Sequence, residues 1–89
     1  MKPLDTAARL RDLLADTLGL SPERRDALDN DSALFGTLPE LDSMAVANVL
    51  TELEDRFDII VEDDDVDGEL FATFGNLLTF IDRKLAERA

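Results

Sequence analysis

Apolar residues recur at helical spacing in three separate stretches, and this repetition constrains the fold more than any other feature of the chain. In residues 43–57, Val46, Val49, Leu50, Leu53 and Phe57 follow i, i+3, i+4, i+7 and i+11. A helix turns about 100° per residue, so these five side chains fall within about 100° of arc. The same spacing joins Phe74, Leu77, Leu78, Ile81 and Leu85 in a helix expected over 74–87, with Thr73 as its N-cap. A third stripe of Leu10, Leu14 and Leu18, with Leu13 and Ala7 beside it, predicts a helix over 4–18. Asp5 or Thr6 suits its N-cap, and Gly19 suits its end.

The connection 19–42 is long. Ser21-Pro22-Glu23 places a capping residue before a proline, a helix-start pattern that predicts one or two turns over 22–28. Asp29, Asn30, Asp31 and Ser32 carry turn and cap chemistry. Leu34-Phe35 reads as a hydrophobic plug, and Gly36 and Pro39 break regular structure after it. Ile59, Ile60 and Val61 form an apolar link after the second long helix, and no other segment offers this run a partner strand. Residues 62–68 read as an acidic turn, and 67–72 as a short helix with Leu70 and Phe71 turned inward. The expected fold is all-α, a small four-helix bundle of three long helices and one short one. Residues 1–89 form one domain, with a long loop between the first two long helices.

The chain has 89 residues, no cysteine and no histidine. Disulfides, thiolate or imidazole metal ligands, and Ser-His or Cys-His nucleophile pairs are therefore excluded. A domain this small buries only about two-thirds of its unfolded surface, so nearly every Leu, Val, Ile and Phe is expected in the core. Twenty-one acidic residues against nine basic ones leave a net charge of −12. Such a surface repels nucleic acid and anionic lipid and attracts basic proteins. No apolar run approaches the roughly 20 residues of a membrane span, and MKPLDTAARL lacks a signal-peptide core. A monomeric cytoplasmic protein is expected, without nucleic-acid binding or membrane insertion.

Leu41-Asp42-Ser43-Met44 stands where the long loop enters the 43–57 helix. Either Asp42 or Ser43 suits the N-cap. A hydroxyl at a helix N-terminus is also where a phosphate ester is favoured, because the first-turn N–H groups and the helix dipole attract anions. The order of motifs around it resembles the carrier protein family: the acyl, peptidyl and D-alanyl carrier proteins. Asp42-Ser43-Met44 is similar to the family's Asp-Ser-Leu, Leu53-Glu54-Asp55-Arg56-Phe57 to its Leu-Glu-Glu-x-Phe, and Ile60-Val61 to its Ile-Pro step. Leu70-Phe71, Thr73-Phe74 and Leu77 to Ile81 resemble its C-terminal pattern, so the likeness runs over about residues 4–86.

The resemblance implies an acyl-carrier-like bundle that is not itself an enzyme. It implies a 4′-phosphopantetheine arm, taken from coenzyme A and attached covalently to Ser43, that holds an acyl or aminoacyl group as a thioester. The implied partners are a phosphopantetheinyl transferase (the holo-synthase) and acyl-loading and acyl-transferring enzymes with basic patches, as in fatty acid or polyketide biosynthesis. Asp42, Met44, Asn48, Thr51, Glu54 and Asp55 are the implied recognition residues.

Some positions depart from the family pattern. Met44 replaces the usual Leu, as in D-alanyl carriers. Pro39-Glu40 stands where a Gly is usual, and Ala45 and Asn48 stand where fatty-acid carriers tend to have acids. These departures point to a specialised pathway. The Asp-Ser-Met-Ala-Val run and the later Asp-Asp-Asp stretch look most like acyl carriers of exosortase and extracellular polysaccharide clusters.

A second constellation is Asp63, Asp65, Asp67 and Gly68, which fit positions 1, 3, 5 and 6 of an EF-hand loop. Position 12, normally a bidentate Glu, is Phe74. The expectation here is a solvated acidic turn with weak affinity for Ca²⁺ or Mg²⁺ at Asp63, Asp65 and Asp67. The alternatives to a carrier are a Ca²⁺-binding module or an unmodified acidic helical adaptor.

Overall fold

A computed structural model describes residues 6–34 and 42–88, without the side chains of Ser43 and Arg88. The expected plug residue Phe35, the breakers Gly36 and Pro39, Leu41 and the candidate cap Asp5 lie outside the described residues. Among the described residues four α-helices form: α1 (Thr6–Leu18), α2 (Pro22–Asp26), α3 (Ser43–Phe57) and α4 (Phe74–Arg88). A 3-10 turn occupies Asp63–Asp65. Among the described residues there is no strand, only an isolated antiparallel bridge between Ala33 and Thr73.

Each helix ends as its local chemistry directs. Gly19 takes φ of +73° after α1, and the N–H groups of Gly19 and Leu20 both donate to the Ala15 carbonyl. This is the left-handed helix end that glycine permits without a Cβ clash. Ser21 Oγ accepts from Arg24 N at 3.3 Å to start α2, which stops at Asp26, short of the expected 28. Asp42 caps α3, and Asp58 ends it in the left-handed region at φ of +54°. Asp and Asn tolerate this region better than most residues with a Cβ. Thr73 Oγ1 accepts from Asn76 N at 3.0 Å and caps α4 as expected.

One core holds the helices together. Leu10, Leu13 and Leu14 of α1 are completely buried against Val49 and Leu53 of α3 and Phe74, Leu77 and Ile81 of α4. Val46, Leu50, Leu78 and Leu85 complete the expected stripes as partly buried side chains. Phe80, outside the expected stripe, is also buried; Arg83 and Lys84 lie over its ring, 5.4 and 5.7 Å from its centre. Ile60 and Val66 are exceptions to the expectation that nearly every Leu, Val, Ile and Phe is buried, and Met44 is exposed as well.

The first part of the long connection is stitched onto the start of α4. Phe74 N donates to Ser32 O at 2.8 Å, Gly75 N to Asn30 O at 3.0 Å, and Leu34 N to Ala72 O at 3.2 Å. Loop carbonyls thus satisfy amides that a helix start leaves unpaired. From α1, Arg11 Nε donates to Leu28 O at 2.8 Å, and Leu28 and Leu34 are buried.

Residues 67–72 do not form the expected short helix. Asp67 Oδ1 accepts from both Glu69 N and Leu70 N, and successive turns close from Leu70 N to Asp67 O and from Ala72 N to Glu69 O. An aspartate side chain that captures nearby amides competes with helix propagation. Leu70 and Phe71 still turn into the core.

Two substitutions test this packing. Leu53→Ala removes a fully buried side chain and is expected to cost about 2–5 kcal/mol in denaturant unfolding. A Cβ built on Gly75 would stand 2.7 Å from the Asn30 carbonyl oxygen. Gly75→Ala is therefore expected to push the 30–34 segment off α4 and raise amide exchange at Leu34 and Phe74.

Candidate functional site

The start of α3 is built around Asp42. Its Oδ1 accepts from Ala45 N at 2.9 Å, and its carbonyl accepts from Val46 N. Of the two candidate caps, Asp42 fills the role, so residue 43 is the first residue inside the helix. Asp42 and Met44 on either side are exposed, Met44 by 78%.

Among the other expected recognition residues, Asn48, Thr51 and Asp55 are exposed on α3. Thr51 Oγ1 donates back to Ala47 O at 3.1 Å. Asn48 and Thr51 also border a polar groove of about 250 Å³, lined as well by Asp16 and Thr17 of α1 and by Glu52 and Arg56. Glu54 differs from these: it is half-buried, and its Oε2 accepts from Val61 N at 2.9 Å. That bond folds the 59–61 segment back against α3, a role the helical spacing did not reveal.

The electrostatics of this face follow from where the cations lie. Arg56 is the only basic residue between Asp26 and Asp82. It is engaged by Glu52 at 2.8 Å and by Asp16 of α1 at 3.1 Å, while Arg9 donates to its backbone carbonyl and lies over the Phe57 ring. On the outer face of α3, exposed Asp42 and Asp55 stand at the two ends of a row of exposed Met44, Asn48 and Thr51.

The three aspartates expected to hold a cation are not brought together as ligands. Asp65 Oδ2 accepts from Glu62 N at 2.9 Å and meets Lys84 Nζ at 2.8 Å, with Arg83 at 3.6 Å from Oδ1. Asp67 is committed to its own turn, and Phe74, at the twelfth loop position, is fully buried. Among the described residues no group of three carboxylates converges to hold a metal ion. A weak cation site at Asp63, Asp65 and Asp67 is thus not supported, because a lysine already serves as the counter-ion.

The geometry suits a phosphate ester at the head of α3. A hydroxyl-bearing residue follows the cap, its flanking side chains are exposed, and a helix N-terminus favours negative charge. Comparison with known proteins agrees. The family described as "Phosphopantetheine attachment site" matches residues 8–81. An acyl carrier protein of Exiguobacterium sp. is 43% identical over 44 residues, which is 49% of this chain and 53% of that protein, so this match spans about half of each. The solution NMR structure of a holo acyl carrier protein from Nitrosomonas europaea superposes with a TM-score of 0.83. It is 45% identical, and the match covers 92% of this chain and 96% of that one. The chain belongs to the acyl carrier protein family, whose members are carriers rather than enzymes and bear a 4′-phosphopantetheine prosthetic group. The family works with a phosphopantetheinyl transferase and with acyl-handling enzymes, and no described helix is long and apolar enough to cross a membrane.

The Asp65–Lys84 pair is largely shielded, with side-chain exposures of 16% and 13%. The bond from Lys84 and then that from the Glu62 amide hold the Asp65 carboxyl below its ordinary range, and the bond to Asp65 raises Lys84. A depressed carboxylate stabilises the fold above its unfolded value of about 3.9, and a raised lysine does so below about 10.4. Lys84→Met is therefore expected to lower Tm at pH 7. The gap from the parent should close as pH falls through the folded-state titration of Asp65, as thermal unfolding at pH 7 and pH 3 would reveal.

Proposed function

We propose that Ser43 is the attachment residue and that this single carrier domain presents an acyl group, as a thioester, to basic partner enzymes of a specialised biosynthetic pathway. The observation that carries this reading is the division of labour at the start of α3. Asp42 supplies the cap, so residue 43 is not needed to hold the helix. When bound, the arm supplies the terminal thiol that carries the acyl group.

The chain's own residues orient and admit partners. Asp42 holds the first turn, and Met44 offers an apolar contact beside the attachment point. Asn48, Thr51 and Asp55 are exposed along the same helix, and charge complementarity speeds encounter with basic surfaces. Glu54 contributes charge while fixing the following loop. The lack of cysteine is compatible with a reactive sulfur that belongs to the arm. A monomer acting in the cytoplasm is the setting this reading implies.

The test is intact-protein mass after incubation with coenzyme A, Mg²⁺ and a broad-specificity phosphopantetheinyl transferase. One phosphopantetheine increment is expected on the parent and none on Ser43→Ala. Because the cap is Asp42, Ser43→Ala is expected to change stability by about 0.5 kcal/mol or less, whereas Asp42→Ala costs about 1 kcal/mol through the lost cap. An increment retained on Ser43→Ala would overturn the assignment.

A further inference from the structure

Of the nine basic residues, only Lys2 and Lys84 are lysines; the others are arginines. The difference matters for a molecule that carries a thioester. An arginine guanidinium stays protonated in proteins, whereas a lysine amine becomes a nucleophile whenever it loses its proton. The chain has no cysteine, histidine or tyrosine. Lys84 is the only lysine among the described residues, and the α4 residue best able to attack an acyl group.

Its surroundings keep it charged and covered. Lys84 Nζ meets Asp65 Oδ2 at 2.8 Å, and the two side chains are only 13% and 16% exposed. Asp65 is itself fixed, because Oδ2 also accepts from Glu62 N at 2.9 Å and Arg83 stands 3.6 Å from Oδ1. Glu87 and Glu62 add to the negative field at Lys84. The facing cation, Arg83, is shared between Asp65 and Glu87. The Phe80 ring covers a further side, with Nζ 5.7 Å from its centre. An opposite charge in contact favours the ammonium form, and an ammonium has no lone pair to attack with.

We propose that Asp65 masks Lys84 as a nucleophile and so keeps thioesters from being lost to it. This rests on the reading of the chain as a thioester carrier. In the reaction avoided, Nζ first gives a proton to solvent. Its lone pair then attacks the thioester carbonyl carbon, the C–N bond forms, and the C–S bond breaks. The sulfur leaves as a thiolate, and the second proton is lost from the new amide nitrogen. The acyl group ends as an amide on Lys84, and the residue loses its charge. The ion pair opposes the first of these steps, and the shielding of both side chains opposes the second.

The test exposes the full chain to acetyl-coenzyme A at about pH 8, where an ordinary lysine of pKa about 10.4 is deprotonated in small part. Nα-acetyl-lysine amide in the same tube is the reference, and acetylation of Lys84 is followed by peptide mass. Lys84 of the parent is expected to react at least about tenfold more slowly than the reference. Asp65→Asn keeps the shape and an oxygen for the Glu62 amide but removes the charge. It is expected to raise the Lys84 rate about fivefold or more. Thr73→Ala loosens the same helix at its other end and leaves the pair intact, so its rate should stay within about twofold of the parent. A parent rate equal to the reference overturns the proposal, as does an Asp65→Asn rate within about twofold of the parent. A rise in Thr73→Ala that matches Asp65→Asn also overturns it, by assigning the protection to burial alone. Acetyl-coenzyme A reacts from solution, so these rates decide the matter whether or not Ser43 takes an arm.

Discussion

Leu10, Leu13 and Leu14 are completely shielded from solvent, and the helix that carries them contacts α2, α3 and α4. The other elements depend on that burial. A chain of 89 residues without cysteine has no covalent cross-link to restrict its unfolded state. Removal of apolar surface from water must offset the loss of backbone freedom almost alone. The demand reaches beyond the regular helices. Leu28 and Leu34 of the long connection, and Leu70 and Phe71 of the turn before α4, are drawn into the same core. The described irregular segments that carry these four residues are thereby held in place.

The second constraint is charge. With a net charge of −12, compaction works against self-repulsion, and the few cations lie where elements meet. Arg11 joins α1 to the Leu28 carbonyl, Arg25 joins α2 to Asp12, Arg56 joins α3 to Asp16, and Lys84 joins α4 to Asp65. Most of these contacts are exposed, and each stabilises the fold only modestly. Their arrangement has a further consequence. Because the cations are directed inward between elements, the outer face of α3 and the loop after it stay acidic. The same distribution closes a small bundle and leaves a face suited to basic partners.

The helical stripes were legible because burial of one face requires a repeat near 3.6 residues. Val49, Leu53 and Phe57, and Phe74, Leu77 and Ile81, are buried as their spacing implies. Caps were legible for a related reason: Ser21 and Thr73 act through contacts three residues away. Asp42 and Ser43 were equivalent candidates, and only the bond to Ala45 N separates them. The acidic segment 62–72 was the least legible. Its carboxylates read as solvated, or as a loose cation site, because the lysine that partners Asp65 is nineteen residues away in sequence. Asp67 had no signal that its side chain would hold two amides and keep 67–72 from becoming helical. Glu54 looked like its neighbour Asp55, although one is tied to Val61 and the other is exposed.

By itself the sequence determined the all-α class, the extents of the long helices to within a few residues, and the order of motifs that resembles the carrier family. These are properties of local spacing, and local spacing sets which face of a helix must leave water. Only the tertiary structure decided that Asp42 takes the cap, that the long connection is stitched to Phe74 and Gly75, that Lys84 pairs with Asp65 of the acidic turn, and that Ile59 goes in while Ile60 stays out. Two of those outcomes join residues far apart in the chain, and one-dimensional spacing carries no information about which distant group arrives at a given carboxylate or carbonyl.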